Sequence, residues 1–195
     1  MKRESGPQLD AFAVDVRALL ERSVASLYSH LVTRPTGRAV RMAIETQLEE
    51  LKKPAISLVD LSAVAILDYS CADEVVAKLL LRAEATGGLT YFVLGGVRAH
   101  HREPIEAVLE RHDLAIVAET SPGSFELLGA GTGEERRLWG IVQDSGWVAS
   151  TEVDGLLEGV GGEHVLGTLL ARRLLFRDPR HGDLHALSTL AVAGA

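Results

Sequence analysis

Apolar residues recur at spacings of three and four from Gln8 to Leu31: Leu9, Phe12, Val16, Leu19, Leu20, Val24, Leu27 and Leu31. Arg17, Glu21 and Arg22 fall on other faces, so the pattern predicts an amphipathic helix. Thr33 to Gly37 (T-R-P-T-G) reads as a breaker, because Pro35 lacks a backbone donor and Gly37 is permissive. A second helical stripe follows, Val40, Ile44, Leu48 and Leu51, ending at Lys53-Pro54. The period then changes. Ala55 to Leu61 (A-I-S-L-V-D-L) is a short apolar run that suits a strand covered on both faces. Ala72 to Glu84 is helical, with Val75, Val76, Leu79, Leu80 and Ala83 inward and Gly87-Gly88 as its stop. Leu89 to Leu94 is a strand broken by Gly95-Gly96, Pro104 to His112 a short helix, and Leu114 to Val117 a third short strand. Strand and helix in alternation predict an α/β layer structure.

From Thr120 to Gly133 the chain is rich in Gly, Ser and Pro, and a domain boundary is placed around Gly129–Gly133. Beyond it, Glu134 to Ser145 is a helix with Leu138, Trp139 and Val142 inward. Thr151 to Asp154 reads as a capping box opening a short helix, Gly159 to Gly162 as a turn, and Glu163 to Arg173 as a third helix. Leu174-Leu175-Phe176 and Leu184 to Leu187 flank Asp178 to Asp183, whose Pro, Gly and Asp content predicts a β-hairpin. Three helices followed by a hairpin is the order of a winged helix-turn-helix. The expected organisation is therefore a helical region over 1–53, an α/β domain over 54–128 and a winged-helix domain over 129–195.

Composition narrows the function classes. The 195 residues are 47% hydrophobic and 24% charged, ordinary for a globular chain, with a net charge of −7 that argues against a generally basic nucleic-acid coat. A single cysteine, Cys71, excludes an internal disulfide and any C-x-x-C motif. No apolar run is long enough for a membrane span and no signal peptide follows Met1, so a cytoplasmic setting is expected.

Residues Ala55 to Val117 resemble a STAS domain, the fold of bacterial anti-sigma factor antagonists. The matching segments are Leu58-Val59-Asp60-Leu61-Ser62, Ile66-Leu67-Asp68-Tyr69-Ser70-Cys71-Ala72 and Gly87-Gly88-Leu89. More narrowly, Thr33-Arg34-x-x-Gly37 together with Ala72-Asp73-Glu74 is similar to STAS-like proteins with an F-A-D-E helix start. In the family, a D-S-S-G loop opens a helix; here Tyr69 replaces the first serine and Cys71 the glycine, and the usual leading hairpin is not evident. Residues Glu134 to Leu187 resemble the winged helix of MarR-type transcription regulators, with Phe176-Arg177-Asp178-Pro179-Arg180-His181-Gly182-Asp183 in place of the wing R-x-D-P-x-x-G-R.

Ser70 stands where the STAS phosphoacceptor would stand, and the resemblance implies phosphorylation there by a kinase or partner-switching anti-sigma factor. The alternative is a helix N-cap, with Asp73 three residues on. Arg34, Arg38, Asp68 and Tyr69 are candidates for partner contact. Arg38 and Arg41 can equally pair with Glu45 and Glu49 at helical spacing. Cys71, near a helix start, is either a small buried hydrophobe or an activated nucleophile. His100-His101 reads as a solvated loop or partner surface, and no metal or cofactor site is expected. His164, Thr168, Arg172, Arg173, Arg177, Arg180 and His181 are the candidates for contact with duplex DNA, with Glu152, Asp154, Glu158 and Glu163 nearby to oppose it. The apolar stripe from Leu9 to Leu31 suggests a homodimer through that helix. The expectation is a non-enzymatic regulator of transcription, with a partner-switching antagonist as alternative and an enzyme using Cys71 as a remote third.

Overall fold

The computed structural model describes residues 10–15, 30–49, 55–85, 90–159 and 161–192, with backbone alone at 10–15 and 49. Five strands form the main sheet in the order β1-β3-β5-β6-β7, where β1 is Asp10–Asp15, β3 Ala55–Asp60, β5 Thr90–Gly95, β6 Ala115–Ser121 and β7 Ser124–Gly129. The first four run parallel and β7 returns antiparallel to β6. A separate two-stranded parallel pair joins β2 (His30–Leu31) to β4 (Ile66–Leu67).

The N-terminal expectation is corrected here. Asp10–Asp15 is a strand, paired residue for residue with Ala55–Asp60, and not the start of a helix. Its four central residues, A-F-A-V, form an unbroken apolar run between two aspartates. Such a run satisfies a buried parallel strand as well as a helix, and pairing with β3 decides between them. His30–Leu31 is also extended, and residues 16–29 lie outside the described set. The helix proposed as a dimer interface therefore does not cover 8–31.

Helix α1 spans Arg34–Glu49 and takes in the expected breaker. Pro35 sits in its first turn, where a missing N–H costs nothing. Thr33 supplies its carbonyl to Gly37 and its hydroxyl to the Thr36 N–H. Gly37 is needed for contact: a Cβ there would stand 2.9 Å from the Cys71 Cα.

The next helix starts three residues earlier than its apolar stripe suggests. It runs as α2 (Tyr69–Ala72), a π-helical turn (Asp73–Ala77) and α3 (Lys78–Ala85) without a break. Helix α4 (Ala99–Arg111) likewise begins upstream of Pro104, which lies inside it. His101 is buried in its first turn rather than solvated: its Nδ1 accepts from the Arg98 N–H, and its Nε2 donates to the Val64 carbonyl at 2.8 Å. Burial pushes the ring's pKa down, in keeping with that neutral role.

Strand residues alternate between two cores. Val59, Phe92, Leu94, Ile116 and Ala118 face α1 to α4, meeting Val40, Ile44, Val75, Ile105 and Leu109. Ile56, Val93, Ala115, Val117 and Leu127 face the other way. A sheet of this kind must be covered on both faces, and the C-terminal segment supplies the second cover. The Gly-, Ser- and Pro-rich stretch that opens at Thr120 carries the β6–β7 hairpin, turning at Pro122-Gly123, before the chain reaches 129–133.

The C-terminal segment consists of α5 (Gly133–Ser145), β8 (Trp147–Val148), α6 (Ser150–Leu157), α7 (Gly162–Ala171), β9 (Leu175–Arg177), β10 (Leu184–Ala186) and α8 (Leu187–Val192). Its small sheet has the order β8-β10-β9, antiparallel throughout. Thr132 and Glu135 form a capping box at α5. The box expected at Thr151 is absent: α6 begins at Ser150, whose N–H is taken by Asp183 of the hairpin. Leu138, Leu166 and Phe176 complete the second core, with the Phe176 ring edge-on to Tyr91 at 5.6 Å.

Candidate functional site

Two carboxylates enter the interior at the π turn. Asp73 is 7% and Glu74 3% exposed, consecutive residues of the π-helical turn that packs against α1. Seven successive residues, Cys71 to Ala77, are buried, which is unusual for a helix carrying two acids. Donors from three elements compensate. Arg34 Nη1 lies 2.7 Å from Asp73 and 3.0 Å from Glu74. Arg41 Nε donates to Glu74 at 3.2 Å while its Nη1 holds Glu45 at 2.6 Å. Lys78 bonds Glu74 one turn on and lies 3.4 Å from Asp73. His112 Nε2 donates to the second Asp73 oxygen at 2.9 Å. Burial alone would push both carboxyls up. Hydrogen bonds from Arg34, His112 and Lys78 reverse this and hold Asp73 at about 2, and those from Lys78, Arg41 and Arg34 bring Glu74 down as well.

The helix start beside this cluster corrects the reading of Ser70 as the N-cap. Asp68 is the cap: its Oδ1 accepts from the Cys71 N–H at 2.7 Å and from the Ser70 hydroxyl at 2.9 Å. Ser70 is thus in the first turn, half-buried, facing a cleft of about 380 Å³ that Arg34, Tyr69, Asp73 and Arg111 also line. Tyr69 is exposed and donates its hydroxyl to Glu103, a bond that raises its pKa. Arg38 is exposed and joins none of this. Cys71 is fully buried and donates to the Thr33 carbonyl. Burial, with the Asp68 charge added, pushes its thiol up to about 11, the opposite of what a nucleophile needs.

The seven candidates for DNA contact do not converge. Arg172 turns back toward the main sheet: its guanidinium donates to the Ala130 carbonyl at 2.9 Å and the Asp113 carbonyl at 3.2 Å, and lies 3.4 Å from Glu135. Arg173, at φ +55°, lines a small crevice with Leu80, Glu84 and Thr90. Arg172 is thus engaged with the body of the protein, and Arg173 borders the crevice half-buried. His164 is exposed on α7, and Thr168 is half-buried with its hydroxyl returned to the His164 carbonyl. Arg177, Arg180 and His181 are exposed on the hairpin. Arg177 donates to the Gly182 carbonyl, and Asp178 takes the Arg180 N–H and His181 Nδ1.

Sequence reasoning found Arg34, Arg41 and Glu45 but missed His112, Lys78 and Arg111. The Glu74–Lys78 spacing of four was a signal for one of these. A second cleft, of about 510 Å³, opens at the carboxyl ends of β3, β5 and β6 beside Asp60, Arg98 and Glu119. Among the described residues no three His, Cys, Asp or Glu side chains are grouped to hold a metal ion, and no helix is long and apolar enough to cross a membrane. Comparison of the chain with protein-family models, with curated proteins and with solved structures returned no match.

Proposed function

We propose that the protein is a non-enzymatic cytoplasmic regulator built from a STAS-like α/β unit and a winged helix seated on its sheet, and that it works through contact with another protein. The observation that carries the regulator reading is the C-terminal topology. A helix, a two-residue strand, two helices and a hairpin, with the first strand paired to the last, supports reading this segment as a winged helix. The protein-contact reading rests on charge. Glu152, Asp154, Glu158 and Glu163 are exposed on and around α6 and α7, while Arg172 turns inward to the Ala130 and Asp113 carbonyls and Arg173 is half-buried. A helix facing a phosphate backbone needs the reverse.

The contact surface on the α/β unit would be the cleft holding Arg34, Tyr69 and Ser70. A phosphate on Ser70 would share a cleft with Arg34 and Arg111 but also with Asp73, and would stand beside Asp68, so charge there can act as a switch. Recovery of a protein partner from the native cells, repeated with Ser70→Ala and Ser70→Asp, tests this. A partner bound by wild type and Ser70→Ala and lost from Ser70→Asp supports the switch; equal binding by all three removes it.

A second reading, duplex DNA, draws support from the exposure of Arg177, Arg180 and His181 on the hairpin. With about three cations engaged, retention on duplex DNA should fall with salt at a log–log slope near −3. Replacing Arg177 and Arg180 by alanine should reduce both affinity and slope. No retention by the wild type at low salt leaves the protein partner alone.

A further inference from the structure

The two-residue turn after α4 touches both halves of the molecule. His112 ends the helix and donates to Asp73 at 2.9 Å, reaching into the buried charge cluster on one face of the sheet. Asp113 follows in the left-handed region at φ +54°. Its carbonyl accepts from Arg172 at 3.2 Å, at the end of α7 beyond the opposite core. Arg172 is shared with the Ala130 carbonyl and with Glu135, which caps α5 through Thr132. From Arg34 through Asp73, His112–Asp113 and Arg172 to Glu135, every non-covalent link is 3.4 Å or shorter. The two ends lie on elements that otherwise belong to different cores.

We infer that the His112–Asp113 turn couples the Asp73 cluster to helix α7, so that a change of counter-ion at Asp73 alters how firmly α7 is held against the sheet. The physical basis is competition for one carboxylate. Asp73 accepts from Arg34 and His112 and pairs with Lys78 at 3.4 Å. Arg34 is the most exposed of these donors, its side chain 51% accessible, and is the one that a ligand in the adjoining cleft can draw away. Its withdrawal shifts the remaining charge of Asp73 onto Lys78 and His112. His112 and Asp113 are consecutive, so any backbone shift that follows the His112 ring also displaces the Asp113 carbonyl that Arg172 grips. The inference goes beyond the proposed function and holds whether the partner is a protein or DNA.

Hydrogen exchange in α7 of the full chain tests it. The set is wild type, Asp73→Asn, Arg172→Ala, the double variant, and Glu45→Gln as a variant in the same cluster but off the turn. Asp73→Asn should speed exchange of the 162–171 amides by about five- to tenfold, and Glu45→Gln should leave them unchanged. In the Arg172→Ala background, Asp73→Asn should add less than about twofold. Fully multiplicative effects of the two substitutions overturn the inference. So does an acceleration by Asp73→Asn spread evenly over the chain. If Asp73→Asn does not fold, His112→Phe cuts the same link at a half-buried position, and the same outcomes decide.

Discussion

Arg34 and Asp73 stand 2.7 Å apart across 39 positions of sequence, and their ion pair ties the first turn of α1 to the π turn after α2. The pair has a thermodynamic consequence. Asp73 is held at about 2 in the folded state against an ordinary 3.8. Its stabilisation is complete above pH 4 and is lost as the pH falls through the folded value. It amounts to about 2 kcal/mol. Urea unfolding between pH 5 and pH 2 should show wild-type stability falling across that window. Asp73→Asn should be less stable at pH 5 and flatter with pH; an unchanged slope would contradict the assignment.

Gly37→Ala should destabilise the protein by about 1–3 kcal/mol. The new Cβ would meet the Cys71 Cα at 2.9 Å and the Sγ at 3.3 Å, and the first of these is backbone that cannot rotate away. Denaturant midpoints measure the loss. A midpoint equal to wild type would mean that α1 and α2 can separate freely at this point.

Cys71 should resist alkylation in the native protein. With its thiol at about 11, buried against Thr33, iodoacetamide at pH 8 should label it only after denaturation. Mass spectrometry with and without denaturant reads this directly. Fast native labelling would revive Cys71 as a reactive group.

A chain ending at residue 130 should bind a hydrophobic dye and associate. Removing α5 to α8 uncovers Ile56, Tyr91, Val93, Val117 and Leu127 on one face of the sheet. Dye fluorescence and sedimentation check it. A monomeric fragment that binds no dye would show that the C-terminal segment is not the cover this sheet requires.

Elements whose cues are local were legible along the chain. Strands β3 and β5 stand out as short apolar runs bounded by Pro or Gly, and Asp178 to Asp183 marks a hairpin by turn chemistry alone. Arg41 and Glu45 pair as their spacing of four implies. The cap before α2 lay two residues from where it was sought. Both Asp68 and Ser70 are able caps, and only backbone conformation says which is outside the helix.

Periodicity and turn chemistry by themselves determined that the chain is an α/β layer followed by helices and a hairpin, since those signals act over a few residues. Tertiary structure alone decided that Asp10–Asp15 is a strand, because an apolar run of that length suits either state until β3 offers its hydrogen bonds. It also decided the fate of the charges. Asp73 can be buried only where Arg34 and His112, 39 positions away on either side, arrive together. Arg172, legible as a free cation at the end of a helix, is drawn inward because the carbonyls of Asp113 and Ala130 stand open where α7 meets the sheet. Charge is a property of the residue; whether it faces solvent, a partner or a buried carbonyl is set by which surfaces the fold brings into contact.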